Sequence, residues 1–189
     1  MSESTIKDRL HVVQEQILEA EARYGRAPGS VELLAVSKTK PLAMVLEALD
    51  CGQVSFGENQ LQDAMTKVEG IGVRKAVWHF IGPVQSNKTR TIATHFDWVH
   101  SIDRLRVAER LSTQRPEQAA PLNVCVQFNV SGEGSKSGVN RDELRDLCRA
   151  VSTLPGLTLR GLMAIPAPAP SFEAQREALC QVREALESV

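Results

Sequence analysis

The sequence predicts an α/β fold, a (β/α)8 barrel of the TIM type that lacks its last two strands within residues 1–189. Short apolar runs alternate with helical patterns of ten or more residues, which is typical of repeated βαβ units around a parallel sheet. Six such runs precede a final helical pattern, whereas a complete barrel has eight strands and usually more than about 200 residues. The alternative, an open doubly wound sheet, lacks support because no G-x-G-x-x-G follows the first run.

The elements follow in a regular order along the chain. A first helix over residues 1–26, capped by Ser2 or Ser4 and ended by Gly25 and Pro28, is expected to pack on the barrel. The six strands are expected in VELLAVS, VSF, AVWHFI, FDWVH, PLNVCVQFNV and LTLRGLMAI. The helices between them are expected at 41–50, 59–69, 85–93, from residue 103 onward and at 141–151, and a last helix in SFEAQREALCQVREALESV.

Composition excludes several classes of partner. The 22 basic and 23 acidic side chains give a net charge of −1, so no overall field would attract nucleic acid or an anionic membrane. No apolar run approaches the ~18 residues that span a bilayer, and the charged amino terminus lacks the pattern of a secretory signal. The four cysteines form no C-x-x-C pair, so neither a zinc site nor a disulfide framework is expected. We therefore expect a cytoplasmic protein, a monomer with one domain over residues 1–189 and no metal.

Lys38 is the residue with the clearest chemical meaning. It closes an apolar run in which Leu34, Val36 and Lys38 alternate onto one face, and in a barrel that face points inward. Loss of solvation there would favour the neutral amine, which can attack an aldehyde and form an imine. The alternative is a lysine that extends from the strand end into solvent. The spacing alone leaves both interpretations open.

Four further segments follow predicted strands. FGENQ offers Asn59 as a helix cap or as an amide donor, and the cap is the simpler interpretation. His79 alternates away from its aromatic neighbours in WHFIGPVQSNK, which is typical of a core histidine. SGEGSKSG contains Lys136 and fits either an anion-binding backbone loop or a flexible glycine loop. It is not a Walker A motif, because that motif has glycine directly before the lysine and this loop has serine. Met163 in LRGLMAIP fits a core position.

Six ordered blocks of sequence resemble the pyridoxal phosphate homeostasis protein family, single-domain barrels related to the amino-terminal domain of alanine racemase. The blocks are LLAVSKTKP, FGENQLQD, WHFIGPVQSNKTR, HSIDRLRVAERL, NVSGEGSKSGV and RGLMAIP. The resemblance implies that Lys38 carries pyridoxal 5'-phosphate (PLP) as an imine. It also implies that Asn59 and His79 lie around the cofactor and that Lys136 is a second lysine near it, and we include Met163 in this expected site.

The resemblance further implies a role in vitamin B6 homeostasis, with PLP and PLP-dependent apoenzymes as partners and no settled catalytic reaction. It is incomplete at the carboxyl end of the chain. The family's serine-containing loop after a seventh strand and its arginine-glycine segment at an eighth, which hold the cofactor phosphate, have no counterpart here. Barrel phosphate sites usually form from these loops. We therefore expect residues 1–189 to be part of a longer protein.

Three other functions stay open on the sequence alone. A racemase of the alanine racemase type would need a tyrosine as a second proton carrier, and the only tyrosine is Tyr24 at the end of the first helix. A Schiff-base aldolase would use Lys38 directly on a sugar-phosphate carbonyl, but no matched acid or base is evident. A non-catalytic scaffold is the third. We expect a PLP carrier rather than an enzyme.

Overall fold

The computed structural model describes residues 5–132 and 137–189, which divide into two compact units between Trp78 and His79. The first unit contains two complete strands, three helices and the start of a third strand. In chain order these elements are α1 (Ile6–Arg23), β1 (Ala35–Val36), α2 (Leu42–Asp50), β2 (Ser55–Glu58), α3 (Leu61–Gly70) and β3 (Val77–Phe80).

The second unit begins inside β3 and continues the same alternation. A short 3-10 helix at Ser86–Lys88 leads into α4. The further elements are α4 (Thr89–His95), β4 (Trp98–Ile102), α5 (Leu105–Gln114), β5 (Leu122–Gln127), α6 (Arg141–Ser152), β6 (Leu157–Met163) and α7 (Phe172–Glu187). Within the described residues, no helix is both long and apolar enough to cross a membrane.

The strands are hydrogen-bonded in the order in which they occur in the chain, β1 to β6. β1 and β2 run parallel in the first unit, where Val77 N, at the start of β3, donates to Val54 O at 2.8 Å. β3 to β6 form parallel pairs in the second unit, with His79 opposite Trp98. The predicted α/β class and the six parallel strands are therefore confirmed.

Alternation along each strand separates a core face from a second face. In β5, Leu122, Val124 and Val126 are fully buried, whereas Asn123 and Gln127 point the other way and are half-buried. Each unit also has an aromatic contact in its core. The ring centroids of Phe56 and Trp78 are 5.7 Å apart in the first unit, and those of Phe80 and Phe96 are 5.4 Å apart in the second.

The first helix begins later than its sequence suggested. Thr5 is the N-cap, because its hydroxyl accepts from Asp8 N at 3.2 Å while the Asp8 carboxylate accepts from Thr5 N at 3.0 Å. The expectation that Ser2 or Ser4 caps this helix is therefore wrong. The reciprocal pair of Thr5 and Asp8 satisfies two backbone groups, whereas a lone serine would satisfy one.

A buried carboxylate holds the loop that joins α1 to β1. Glu21 accepts hydrogen bonds from Gly29 N at 2.9 Å, from Val31 N at 2.7 Å and from the Ser30 hydroxyl at 3.3 Å. The bond from Gly29 is the main reason why the pKa of Glu21 lies below its ordinary value. The loop is thus fixed to the end of α1, and α1 packs against α2.

Candidate cofactor site

Lys38 lies in a tight turn directly after β1. Lys40 N donates to Ser37 O at 3.0 Å, and Thr39 between them has a φ of 63°. A positive φ is strained for a β-branched residue, and such strain is often found at functional sites, where the surrounding structure must hold it. Ser37 is buried, while the Lys38 side chain is exposed.

The expected loss of solvation at Lys38 is wrong, since the side chain is exposed, as is that of Val36 at 47%. The alternative interpretation, a lysine that extends into solvent, describes the side chain as it stands. The cause is the place of β1 in the sheet. β1 is the first strand in the order and, among the described residues, has a hydrogen-bonded neighbour on one side only.

Asn59 follows β2 and is half-buried. The parallel register pairs Val36 with Gly57, so Lys38 and Asn59 each lie two residues past this pair, after the ends of adjacent strands. Asn59 does not cap the next helix, because α3 begins at Leu61 with Gln60 as its N-cap. The capping interpretation is therefore wrong, and the side-chain amide is available for another role.

A buried ionic cluster lies between the Lys38 turn, β2 and α3, and we call it the Lys67 cluster: Ser37, Glu58, Asp63 and Lys67. The Lys67 ammonium donates to Glu58 Oε1 at 2.7 Å, to Asp63 Oδ2 at 2.8 Å and to Ser37 O at 2.8 Å. The Ser37 hydroxyl donates to the same Glu58 oxygen at 2.6 Å. Glu58 is fully buried, and Lys67 is 2% exposed.

Lys67 stays charged in this enclosed position. Burial by itself would lower its pKa, but the hydrogen bonds to Asp63 and Glu58 outweigh burial, and the pKa lies above its ordinary value. Sequence reasoning missed this cluster. The sequence offered one signal, a lysine four residues after Asp63 on one helix face, which indicates that pair but not its meeting with Glu58 and Ser37.

His79 lies in the second unit and is buried, with 6% exposure. It is paired rather than isolated, because its Nδ1 lies 2.9 Å from His100 Nε2, and its ring stacks on Trp98 with centroids 5.3 Å apart. Burial, and then the neighbouring His100, lower the pKa of His79 to about 4. Burial also lowers the pKa of His100. Both imidazoles are therefore neutral near pH 7.

The polar face of this unit continues beyond the histidines. The Arg160 guanidinium lies 5.8 Å from the Trp98 ring centroid, and its Nε donates to Asn123 Oδ1 at 2.7 Å. Sequence reasoning did not find His100, Trp98 or Arg160. The alternation of Trp98 and His100 in FDWVH was a usable signal, because residues two apart in a strand share a face.

Met163 and Lys136 have different outcomes. Met163 ends β6 and is half-buried, and its carbonyl accepts from Phe128 N at 2.8 Å. Lys136 lies outside the described residues. The structure thus places Lys38 and Asn59 after adjacent strands of the first unit, whereas His79 and Met163 belong to β3 and β6 of the second, with β4 and β5 between them.

A cavity of about 270 Å³ lies beyond the ends of β3 and β5 in the second unit. Its lining includes Gln127, Asn129 and Ser137. Gly138 beside it has a φ of 119°, and an added Cβ would come within 2.9 Å of backbone atoms of Gln127 and Asn129, so only glycine fits. Across residues 5–132 and 137–189, no three His, Cys, Asp or Glu side chains cluster as a metal site.

Comparison with known proteins places this geometry in a family. Residues 12–189 match the family described as alanine racemase, N-terminal domain. The chain is 55% identical to the pyridoxal phosphate homeostasis protein of Pseudomonas aeruginosa, over 97% of this chain and 80% of that protein. It is 51% identical to the protein of that name from Escherichia coli K12, over 94% of this chain and 77% of that protein.

Two solved structures are similar to this chain in fold. PipY of Synechococcus elongatus PCC7942, solved with PLP bound, is 36% identical with a TM-score of 0.75, over 93% of this chain and 81% of that one. Alanine racemase of Corynebacterium glutamicum shares the fold, with 18% identity and a TM-score of 0.67. The match covers 93% of this chain and 48% of the racemase chain.

The strand order and the matched residues define an α/β domain of the alanine racemase N-terminal kind. Within that class, the chain belongs to the pyridoxal phosphate homeostasis protein family, as the six sequence blocks predicted.

Proposed function

We propose that this protein binds PLP as an imine on Lys38 and acts in vitamin B6 homeostasis. The observation that carries the proposal is the exposed amine of Lys38 in a strained turn at the carboxyl end of β1. Its context supports the proposal, because a relative 55% identical is named a pyridoxal phosphate homeostasis protein and PipY is solved with PLP bound.

The residues present fit the aldehyde end of the cofactor. When bound, PLP supplies an electrophilic aldehyde and an electron-accepting ring. Lys38 offers a primary amine that solvent and ligand can reach, and Asn59, after the adjacent strand, offers a side-chain amide for an oxygen of the ligand. We further propose that His79, Met163 and Lys136 contribute to the same site, as the family resemblance implies.

A carrier suits the described residues better than an enzyme. A racemase would need a tyrosine opposite the lysine, and Tyr24 caps the end of α1 with 71% exposure, next to the loop held by Glu21. The similarity to alanine racemases supports the fold alone. We propose PLP-dependent apoenzymes as recipients of the cofactor and a monomer as the functional form.

Two organisational points belong to the same proposal. One domain over residues 1–189 is supported by the single family match that spans residues 12–189. A cytoplasmic location is supported by the cysteines, because Cys51, Cys125, Cys148 and Cys180 are all free thiols, as is usual in a reducing compartment.

The test is a titration with PLP, followed by borohydride reduction and peptide mapping, on wild type, Lys38→Ala and Lys75→Ala. Lys75 is an exposed lysine after α3 and serves as the matched control. We expect a visible imine band in wild type and Lys75→Ala, a reduced adduct on Lys38, and loss of both in Lys38→Ala. An adduct scattered over surface lysines, or a wild-type band that survives in Lys38→Ala, would refute the assignment.

A further inference from the structure

The Lys67 cluster ties together three segments that meet beside Lys38. Its ammonium carries three N–H donors, and each goes to a different segment: Ser37 O in the turn, Glu58 at the end of β2, and Asp63 in the first turn of α3. Lys67 and Glu58 are almost completely enclosed, so water competes little for the bonds that join them to each other and to Ser37, whereas Asp63 is 40% exposed. The cluster is therefore a rigid cross-link inside the first unit.

The turn that presents Lys38 depends on this cross-link. Ser37 O accepts from Lys40 N and from the Lys67 ammonium, so one carbonyl closes the turn and anchors it. The Ser37 hydroxyl adds a bond to Glu58. Thr39 is held at a positive φ between these points, and a strained residue keeps such a conformation only where its surroundings fix both ends.

The same cross-link acts on both candidate cofactor contacts. Ser37 immediately precedes Lys38, and Glu58 immediately precedes Asn59, while the register sets the two strand ends side by side. The bond between Ser37 and Glu58 thus joins the residues behind the two contacts. A change at Lys67 or Glu58 would displace both contacts together.

A second exposed lysine lies on the turn, and it faces a different region. Lys40 borders an apolar cavity of about 330 Å³ formed by α1, β1 and α2, whereas Lys38 does not line that cavity. The turn geometry therefore keeps the two amines apart. Lys67 itself is not a competitor, because its three protons are engaged and its amine is enclosed.

We propose that Lys67 and Glu58 are positioning residues that fix the 37–40 turn, so that PLP forms its imine with Lys38 rather than with Lys40. The inference rests on the proposed function of Lys38. It adds that Lys67 and Glu58, which do not contact the ligand, determine which lysine forms the imine.

The test measures where the imine forms and how firmly the turn is held. Wild type, Lys67→Met, Glu58→Gln and the control Lys75→Met are titrated with PLP, reduced with borohydride and mapped, and Lys40 amide exchange is followed without PLP. For Lys67→Met we expect PLP affinity to fall at least tenfold, part of the adduct to move from Lys38 to Lys40, and exchange at Lys40 to accelerate at least tenfold. Glu58→Gln should act in the same direction and less strongly.

The ratio of Lys38 to Lys40 adduct separates positioning from general instability, because partial unfolding lowers occupancy without favouring the neighbouring amine. If Lys67→Met does not fold, Glu58→Gln decides the matter, because it keeps the size and shape of the side chain. An unchanged ratio together with unchanged amide exchange overturns the inference. If wild type itself forms no Lys38 adduct, the proposed function fails, and amide exchange alone then decides whether Lys67 holds the turn.

Discussion

The two units keep buried polar groups in opposite states of charge. In the first, Lys67 keeps its charge and pairs with Glu58, and the two side chains are 2% and 0% exposed. In the second, His79 and His100 lie 2.9 Å apart with no opposite charge between them, and burial keeps both neutral. A buried charge is retained where an opposite charge and hydrogen bonds are built for it, and is lost where they are not.

The difference has a consequence for how each unit responds to change. In the first unit, replacement of one partner leaves an uncompensated buried charge, so we expect such a mutation to lower the free energy of unfolding. In the second unit, low pH protonates buried imidazoles, so we expect the free energy of unfolding to fall as the pH falls. The four predictions below test this contrast, beginning with the largest expected effect.

Lys67→Met should lower the free energy of unfolding by about 3–5 kcal/mol, because it leaves the Glu58 carboxylate buried without a cation. Urea titration measures the loss. The double variant Glu58→Met/Lys67→Met should recover much of it, since the carboxylate that then loses the ammonium is that of Asp63, which is 40% exposed and solvated. The exposed control Lys75→Met should stay within about 0.5 kcal/mol of wild type. A loss below about 1 kcal/mol in Lys67→Met would show that the pair contributes little.

Acid should destabilise wild type through His79. Its pKa is about 4 in the folded chain and near 6.5 when unfolded, so unfolded protein binds the proton first and stability falls as pH drops from about 6.5 to 4. The full loss is about 3 kcal/mol. Urea titrations across this range should show a flatter profile for His79→Gln than for wild type.

The matched control for this prediction is His95→Gln, at an exposed position at the end of α4. The pKa values of Asp8 and Glu21 are lowered in the folded chain, so these carboxylates also cost stability as the pH falls further. This loss is the same in wild type and in His79→Gln, so the difference between the two profiles reports His79. Parallel profiles for His79→Gln and wild type would contradict the prediction.

Cys125 should be the slow cysteine in alkylation. Burial raises the pKa of its thiol to about 11 from an ordinary value of 9.0, so near pH 8 its thiolate fraction is lower by about a hundredfold. Timed iodoacetamide labelling with peptide mapping should modify the half-buried Cys51 and Cys180 first. Equal rates in folded protein would contradict this, and equal rates in denaturant are the control.

Arg160→Met should have the smallest effect, about 1 kcal/mol. It removes the bond to Asn123 and the contact with the Trp98 ring, each of which is worth roughly this much or less at an exposed position. The comparison is with Arg106→Met on the exposed face of α5. A loss near 3 kcal/mol would show that the polar face of the second unit depends on Arg160 in a way that these contacts do not explain.

The fold was predictable because the pattern repeats. Apolar runs and helical stretches indicated every strand and helix, and several boundaries were within two residues, as for the helix predicted at 141–151 and found at Arg141–Ser152. The exception was VELLAVS, where only Ala35–Val36 forms a strand. On its carboxyl side β1 is ended by the turn in which Lys40 N donates to Ser37 O at 3.0 Å.

The site was predictable only in part. Lys38 and Asn59 follow adjacent strands, and strand ends can be placed from sequence. The Lys67 cluster could not be, because Ser37, Glu58 and Lys67 belong to three elements, and their meeting depends on how α3 packs against β1 and β2. Periodicity shows which face a side chain occupies, but not which residue of another element it contacts.

The order of the strands bears on how the protein is made. Each strand is hydrogen-bonded to its neighbours in sequence order, so from β2 onward each strand leaves the ribosome when one of its partners is already synthesised. Short loops close at low entropic cost, and mostly local pairing speeds folding. All members of the Lys67 cluster lie between residues 37 and 67, so the surroundings of Lys38 can assemble while the second unit is still being translated.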